Sequence, residues 1–453
     1  MADDRTDVRR IAVLVTVTTV LVVAAFVIQL RRSGLTIAEM FSGPPPSVVE
    51  SIEASRASAR LGPRFDALAA QSVGLPVGPD DRPLVAHVTV ADLDRDGLAD
   101  ILVADAAANQ ITWIRQSPVG TYTEHVVGEV PGPAHVEAVD LDKDGDLDLA
   151  VASLGVLFPN NAKIGAVMVF ENDGRQAFTR RILVDQIARV SDVQAGDLDG
   201  DGDIDLAVAQ FGYDQGETRW LENHGGWQFE SHVLQGLSGP INAAVTDVDG
   251  DGDLDIVSLV SQEWEEIYVF VNDGGGGFTP TRIFGASNED FGSSWISVVD
   301  LDRDGDVDVL YSNGDAFDYA PPTGRNWNGV QWLENRGNVN FTYHRVGDFL
   351  GASSPQATDM DGDGDLDIVV ASAYNDWERP EAISLAMFEN DGAMGFTLRP
   401  MAGSPTHLIT LATGDLDADG RPDLVTGGMH MSFPFDRMSR VTVWTNTYPR
   451  GRQ

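Results

Sequence analysis

Asp197-Leu198-Asp199-Gly200-Asp201-Gly202-Asp203-Ile204-Asp205 sets carboxylates at positions 1, 3, 5 and 9 of a tight loop, with glycine at position 6. Alternating carboxylates on such a loop can all turn inward on one hard cation, and an all-oxygen donor set selects calcium. The glycine supplies the bend that lets the chain wrap an ion. The pattern occurs seven times, opening at Asp92, Asp140, Asp197, Asp247, Asp300, Asp359 and Asp415, at intervals of 48 to 59 residues. Self-similarity at about 50 residues marks propeller blades or a solenoid.

The seven copies test one another. Positions 1, 3, 5, 6 and 9 never vary among them, whereas position 7 runs from Leu98 to Asp146 to Arg421. That tolerance fits a main-chain carbonyl ligand. Position 2 is always apolar and is expected to point into the blade. The expected metal ligands are therefore Asp92, Asp94, Asp96 and Asp100, then Asp140, Asp142, Asp144 and Asp148, then Asp197, Asp199, Asp201 and Asp205. They continue with Asp247, Asp249, Asp251 and Asp255, and with Asp300, Asp302, Asp304 and Asp308. The last two sets are Asp359, Asp361, Asp363 and Asp367, and Asp415, Asp417, Asp419 and Asp423. Four convergent carboxylates without a cation would repel, so up to seven calcium ions are expected. An EF-hand needs an acid at position 12, where this chain has residues such as Val103 and Tyr311 inside a strand run.

Each unit reads as four short strands. An apolar-alternating run such as Val136-Glu137-Ala138-Val139 enters the loop, and Leu149-Ala150-Val151-Ala152 leaves it. A third run ends in aromatic-x-Asn, as in Phe170-Glu171-Asn172, and a glycine turn leads to a fourth such as Phe178-Thr179-Arg180-Arg181. Four strands with turns between them make one blade, and the fold expected is an all-β, seven-bladed propeller over 62–449. The seventh unit lacks its fourth run, so the segment Phe65–Ala70 is expected to close that blade.

Composition and the N-terminus place the ring. The net charge is −40, and the 28 loop aspartates account for most of it, leaving an ordinary acidic surface. No basic face exists to neutralise phosphates, which argues against nucleic acid. The absence of cysteine excludes disulfides, thiolate metal sites and thiol nucleophiles. Residues 11–30 form an uncharged apolar run bracketed by Arg9-Arg10 and Arg31-Arg32, which predicts one transmembrane signal-anchor. No small-residue cleavage site follows it. Residues 1–10 then form a short cytoplasmic N-terminus, and 31–61 a juxtamembrane linker with a helix over 48–61, started by the Ser47/Glu50 capping box. Weak calcium sites fill in millimolar calcium and stay empty in cytosol, so the propeller is expected outside the cytoplasm, periplasmic or extracellular.

In Asp-x-Asp-x-Asp-Gly-x-x-Asp in every unit, with aromatic-x-Asn and Gly-x-Phe in most, the chain resembles the FG-GAP/VCBS repeat family over about 85–449. That family's calcium-loop blades also build the integrin α-subunit propeller. The resemblance implies the propeller fold and calcium, and it spans adhesion receptors, lectin-like modules, scaffold subunits and some polysaccharide lyases. Fold alone does not choose among them.

Function is sought where the repeat is broken. Long connections between second and third runs in units 5 to 7 carry Phe317, Tyr319, Trp327, Tyr374, Trp377, Phe433 and Phe435. Aromatics on long loops are the material of recognition hot spots, and they can equally fold down as a cap. The residue five before each loop (His87, His135, Asp192, Asn242, Trp295, Ser354 and Thr410) is expected to line the channel mouth. His125, His232 and His344 share one slot and are read as packing residues. The resulting expectation is a membrane-tethered, non-catalytic interaction or scaffold module, an accessory subunit of a membrane complex. The alternative is a lectin-like protein or polysaccharide lyase, which needs a base and a carbonyl-neutralising cation on one face, and His430 with Arg437, or His87 with His135, are the candidates. No Gly-x-Ser-x-Gly nucleophile motif is present.

Overall fold

The computed structural model describes residues 59–449 apart from 79, 287, 289, 318–321 and 323. The expected membrane anchor, residues 11–30, lies outside the described residues. Among the described residues no helix is long and apolar enough to cross a membrane, and all regular structure is strand.

Seven antiparallel sheets form the seven blades, each with strands a to d. Blade 3 is typical: Arg189–Gly196, Asp205–Phe211, Glu217–Asn223 and Phe229–Gln235 pair in order. Strand b is buried along its length in six blades, as in Asp100–Asp105 and Asp255–Val260, and in blade 3 at every residue but the terminal Phe211. Both its faces pack on neighbouring blades, so it carries apolar residues at successive positions rather than in alternation.

The core is divided among the seven clefts between adjacent blades. Leu102, Trp113, Met168 and Phe170 fill the cleft between blades 1 and 2, and Val85, Val103, Val425 and Val443 the cleft between 7 and 1. The apolar residue at loop position 2 always belongs to the cleft with the following blade: Leu141 packs with blade 3 and Leu301 with blade 6. It thus leans out of its own blade, where the sequence suggested inward packing.

Closure uses the N-terminal segment, as expected, but three residues further on. Leu68–Val73 pairs antiparallel with Val441–Asn446 and completes blade 7, with Leu68 opposite Asn446. That is the register Phe178 and Phe278 hold in their blades. Phe65, the residue expected in that slot, is buried between blades 6 and 7 and stacks on Tyr448 at 5.3 Å. Upstream, Arg60–Leu61 runs parallel to Thr397–Leu398 on the outer edge of blade 6. The helix expected over 48–61 therefore does not extend to these two residues. Pro63 and the open edge favour an extended chain here.

The seam between blades 7 and 1 is also ionic. Arg440 on blade 7 reaches Asp105 and Glu124 of blade 1, each at 2.7 Å, with all three side chains buried.

Candidate metal centre

Each Asp loop joins strand a to strand b at one end of the barrel-shaped ring, beside the c–d turns. Its conformation is set by the backbone. The position-6 glycines have φ between +81° and +105°. A Cβ at Gly97, Gly252, Gly305 or Gly364 would meet nothing within 4 Å, so conformation rather than space demands glycine there.

The carboxylates first organise their own loop. In six copies the position-6 amide donates to the position-1 carboxylate, as from Gly97 to Asp92 at 2.9 Å. The position-7 amide donates to position 5, as from Asp203 to Asp201 at 2.7 Å. In the loops of blades 1 and 4 the carboxylates at positions 1, 3 and 5 converge.

Position 9 plays a second part that the spacing did not reveal. Asp100, Asp148, Asp205, Asp255, Asp308, Asp367 and Asp423 are all buried. One oxygen of each accepts the position-2 amide, as from Val248 to Asp255 at 2.8 Å. The other accepts the amide at the end of strand c, as from Asn272 at 2.8 Å. The asparagine of aromatic-x-Asn continues the brace: Asn272 donates to Leu254 O of its own loop at 2.9 Å and to Leu198 O of the preceding blade at 2.7 Å. Asn335 and Asn446 reach back in the same way to Val248 and Met360. This explains why asparagine recurs at that place.

Electrostatics favour a cation. Burial pushes Asp100, Asp148, Asp205, Asp255 and Asp308 up to about 6 and Asp367 up to about 7. Burial and then the neighbouring Asp363 carboxylate push Asp361 up to about 6. Buried oxygens of Asp94, Asp140 and Asp300 have no hydrogen-bond partner. Carboxylate oxygens of Asp92, Asp94 and Asp96, of Asp247, Asp249 and Asp251, and of Asp140, Asp142 and Asp148 lie within 4.8 Å of one another. Orphaned, converging, all-oxygen donors fit a calcium ion.

The FG-GAP-like repeat pattern matches residues 78–151, 197–258, 247–311 and 359–426, more than half of the sequence. The chain belongs to the FG-GAP-like repeat family. Among solved structures this FG-GAP-like propeller is similar to BBS1N in complex with ARL6DN, soaked with lead, with a TM-score of 0.51 and 12% identity over 85% of this chain and 98% of that chain. The mercury-soaked BBS1N–ARL6DN crystal gives 0.47 and 10% identity over 87% and 95%. The exotype rhamnogalacturonan lyase YesX gives 0.45 and 14% identity over 84% and 76%. Identities this low speak to fold alone. None of the curated proteins compared with this FG-GAP-like chain matches it.

The other candidate residues separate clearly. His125, His232 and His344 sit cross-strand from Trp113, Trp220 and Trp332, the packing expected of them, and His232 and His344 also pair with Glu222 and Glu334 at 2.7 and 2.6 Å. The residues five before each loop form a girdle around the channel. His87 accepts the Val136 amide at 3.4 Å, Asp192 that of Ala243 at 3.0 Å and Asn242 that of Ile296 at 3.3 Å. Ser354 and Thr410 accept those of Leu411 and Val88. In five of the seven blades this side chain thus pins the next blade's inner strand, and His135 and Trp295 are the exceptions. Trp295 carries no such acceptor; the His87 ring stacks on it at 6.0 Å and on His135 at 4.0 Å.

The candidate base His430 and cation Arg437 are engaged elsewhere. His430 is buried with Nε2 against Ser439, and Arg437 donates to Trp377 O at 2.7 Å. Of the loop aromatics, Trp377 is buried, Phe317, Trp327, Tyr374 and Phe435 are half-buried, and Phe433 alone stands out at 81% exposure. Tyr319 lies outside the described residues. The b–c loop of blade 2 escaped the sequence reading, yet it exposes Val156, Phe158 (61%) and Ile164 on the same face. The available signal was an apolar cluster inside a polar connection.

Proposed function

We propose that this propeller is a calcium-stabilised, non-catalytic docking module, tethered by residues 11–30 and displayed outside the cytoplasm, where it binds another protein of a membrane complex. The observation that carries the reading is Phe433, an exposed aromatic on a loop whose base is fixed. It packs on Phe435 at 4.6 Å, and Arg82 caps the Phe435 ring at 4.3 Å. The neighbouring Arg437 anchors the loop to Trp377. An exposed anchor on a rigid base loses little entropy when it enters a partner's pocket. Phe158 adds a second apolar contact on that face. A propeller in complex with a protein partner is known from BBS1N with ARL6DN, which lends the docking mode precedent.

Calcium belongs to the same reading. The first, third and fifth aspartates of each loop, with the buried ninth bracing them, would hold one ion per blade. The ion supplies charge neutralisation and rigidity, with no reaction attached.

Gentle detergent extraction followed by co-purification tests the docking role. Phe433→Ser and Phe158→Ser are expected to abolish retention of the bound protein with an unchanged melting temperature. A lone, monodisperse chain that binds or cleaves an acidic polysaccharide would overturn it.

A further inference from the structure

The c–d hairpin of blade 3 differs from the other five c–d hairpins at two positions, and the differences meet. Following the strand-c asparagine, blades 2, 4 and 6 have Asp173, Asp273 and Asp391, whose carboxylates accept two turn amides each, as Asp273 does from Gly275 and Gly277. Blade 3 has His224 there and gives up that cap, while its turn keeps the positive-φ course of the others through Gly225 and Gly226. Following the first aromatic of strand d, blades 1, 2, 4, 5 and 6 have Thr123, Thr179, Thr279, Thr342 and Thr397; blade 3 has Glu230.

Glu230 faces Glu222 directly across the strand pair. In blades 2, 5 and 6 the equivalent pair is glutamate with threonine. Like charges placed opposite one another in a sheet are destabilising. Two imidazoles surround them. His232 Nε2 lies 2.7 Å from Glu222 Oε2, and the His224 ring borders both carboxylates, its Nδ1 3.7 Å from Glu222 Oε1 and its Nε2 3.7 Å from Glu230 Oε2. Ligand atoms of Glu222, Glu230 and His232 fall within 4.8 Å of one another. Blade 5 is a natural control: it keeps Glu334 and His344 but places Arg336 in the His224 slot, 2.6 Å from Glu334, so a fixed cation satisfies its carboxylate.

We infer that Glu222, His224, Glu230 and His232 form a zinc(II) site that clamps the outer hairpin of blade 3. Two neutral imidazoles and two carboxylates are the donor number and type of a tetrahedral zinc site. A divalent ion cancels the two facing negative charges. Mixed nitrogen–oxygen donors also separate this site from the all-oxygen loops, including the one containing Asp199, next to which Glu222 lies.

The test uses the untagged full chain in saturating calcium, so that the aspartate loops are filled. Titration with cobalt(II), zinc's spectroscopic surrogate, is expected to show one equivalent bound with a nitrogen-ligated visible spectrum, displaced by zinc. His224→Asp with Glu230→Thr installs residues that sibling hairpins fold with, and is expected to weaken binding at least tenfold at unchanged melting temperature in calcium without zinc. Arg336→His with Thr342→Glu should create a second equivalent in blade 5. Absence of nitrogen-ligated cobalt in the native chain, or equal affinity in the blade 3 double variant, would overturn the assignment.

Discussion

Glu265 shows how one buried carboxylate writes itself into the stability of the ring. It accepts the Gly292 and Ser293 amides at 3.2 and 2.9 Å, and burial pushes it up to about 7 from an ordinary 4.5. Its folded-state value is raised, so the folded protein holds the proton more tightly between those limits. Stability is therefore lost as pH rises from about 4.5 to 7 and is flat above. Relative to Glu265→Gln, which cannot ionise, the wild type is expected to lose on the order of 3 kcal/mol across that window. Paired denaturant melts at fixed calcium measure it, and parallel slopes would refute it. Reading single residues from sequence succeeded where repetition supplied the control. It failed where burial decided: nothing local to Trp377 announces that it lies under its own loop rather than on top of it.

At the scale of the element, the Asp loop is a brace before it is a binding site. Its first, third and fifth carboxylates face inward, while the ninth ties the loop to strand c. Gly305→Ala forces φ near +103° on a residue with a Cβ. The expected cost is about 1–2 kcal/mol, with weaker calcium affinity, read by calorimetric melting with and without the ion. An unchanged melt would mean that the loop relaxes freely. These loops were legible because seven copies could be laid against each other. The positions of the channel girdle were legible in the same way, but its bonding was not, since pairs such as Asp192 with Ala243 join different blades and a sequence shows no register between blades. Closure of blade 7 was legible as a missing strand, but Phe65 mimicked the recurring aromatic and shifted the expected register by three residues.

For the whole molecule, the position-2 residue of every loop packs into the cleft with the next blade, so each loop's shape bears on an inter-blade core. Calcium at one hundred times its dissociation constant would add about 2.7 kcal/mol per site. Chelation is thus expected to lower the melting temperature of the entire ring in one cooperative transition rather than to loosen a single blade. A midpoint unmoved by chelator would remove calcium from the account.

The strand Leu68–Val73 has its partner, Val441–Asn446, at the far end of the chain. All the other blades lie between the two strands in sequence. The circle is therefore sealed only when both strands are present, and the loss of either leaves blade 7 with an unpaired edge. One clasp, drawn from opposite ends of the repeat array, decides whether the molecule is a wheel or a strip.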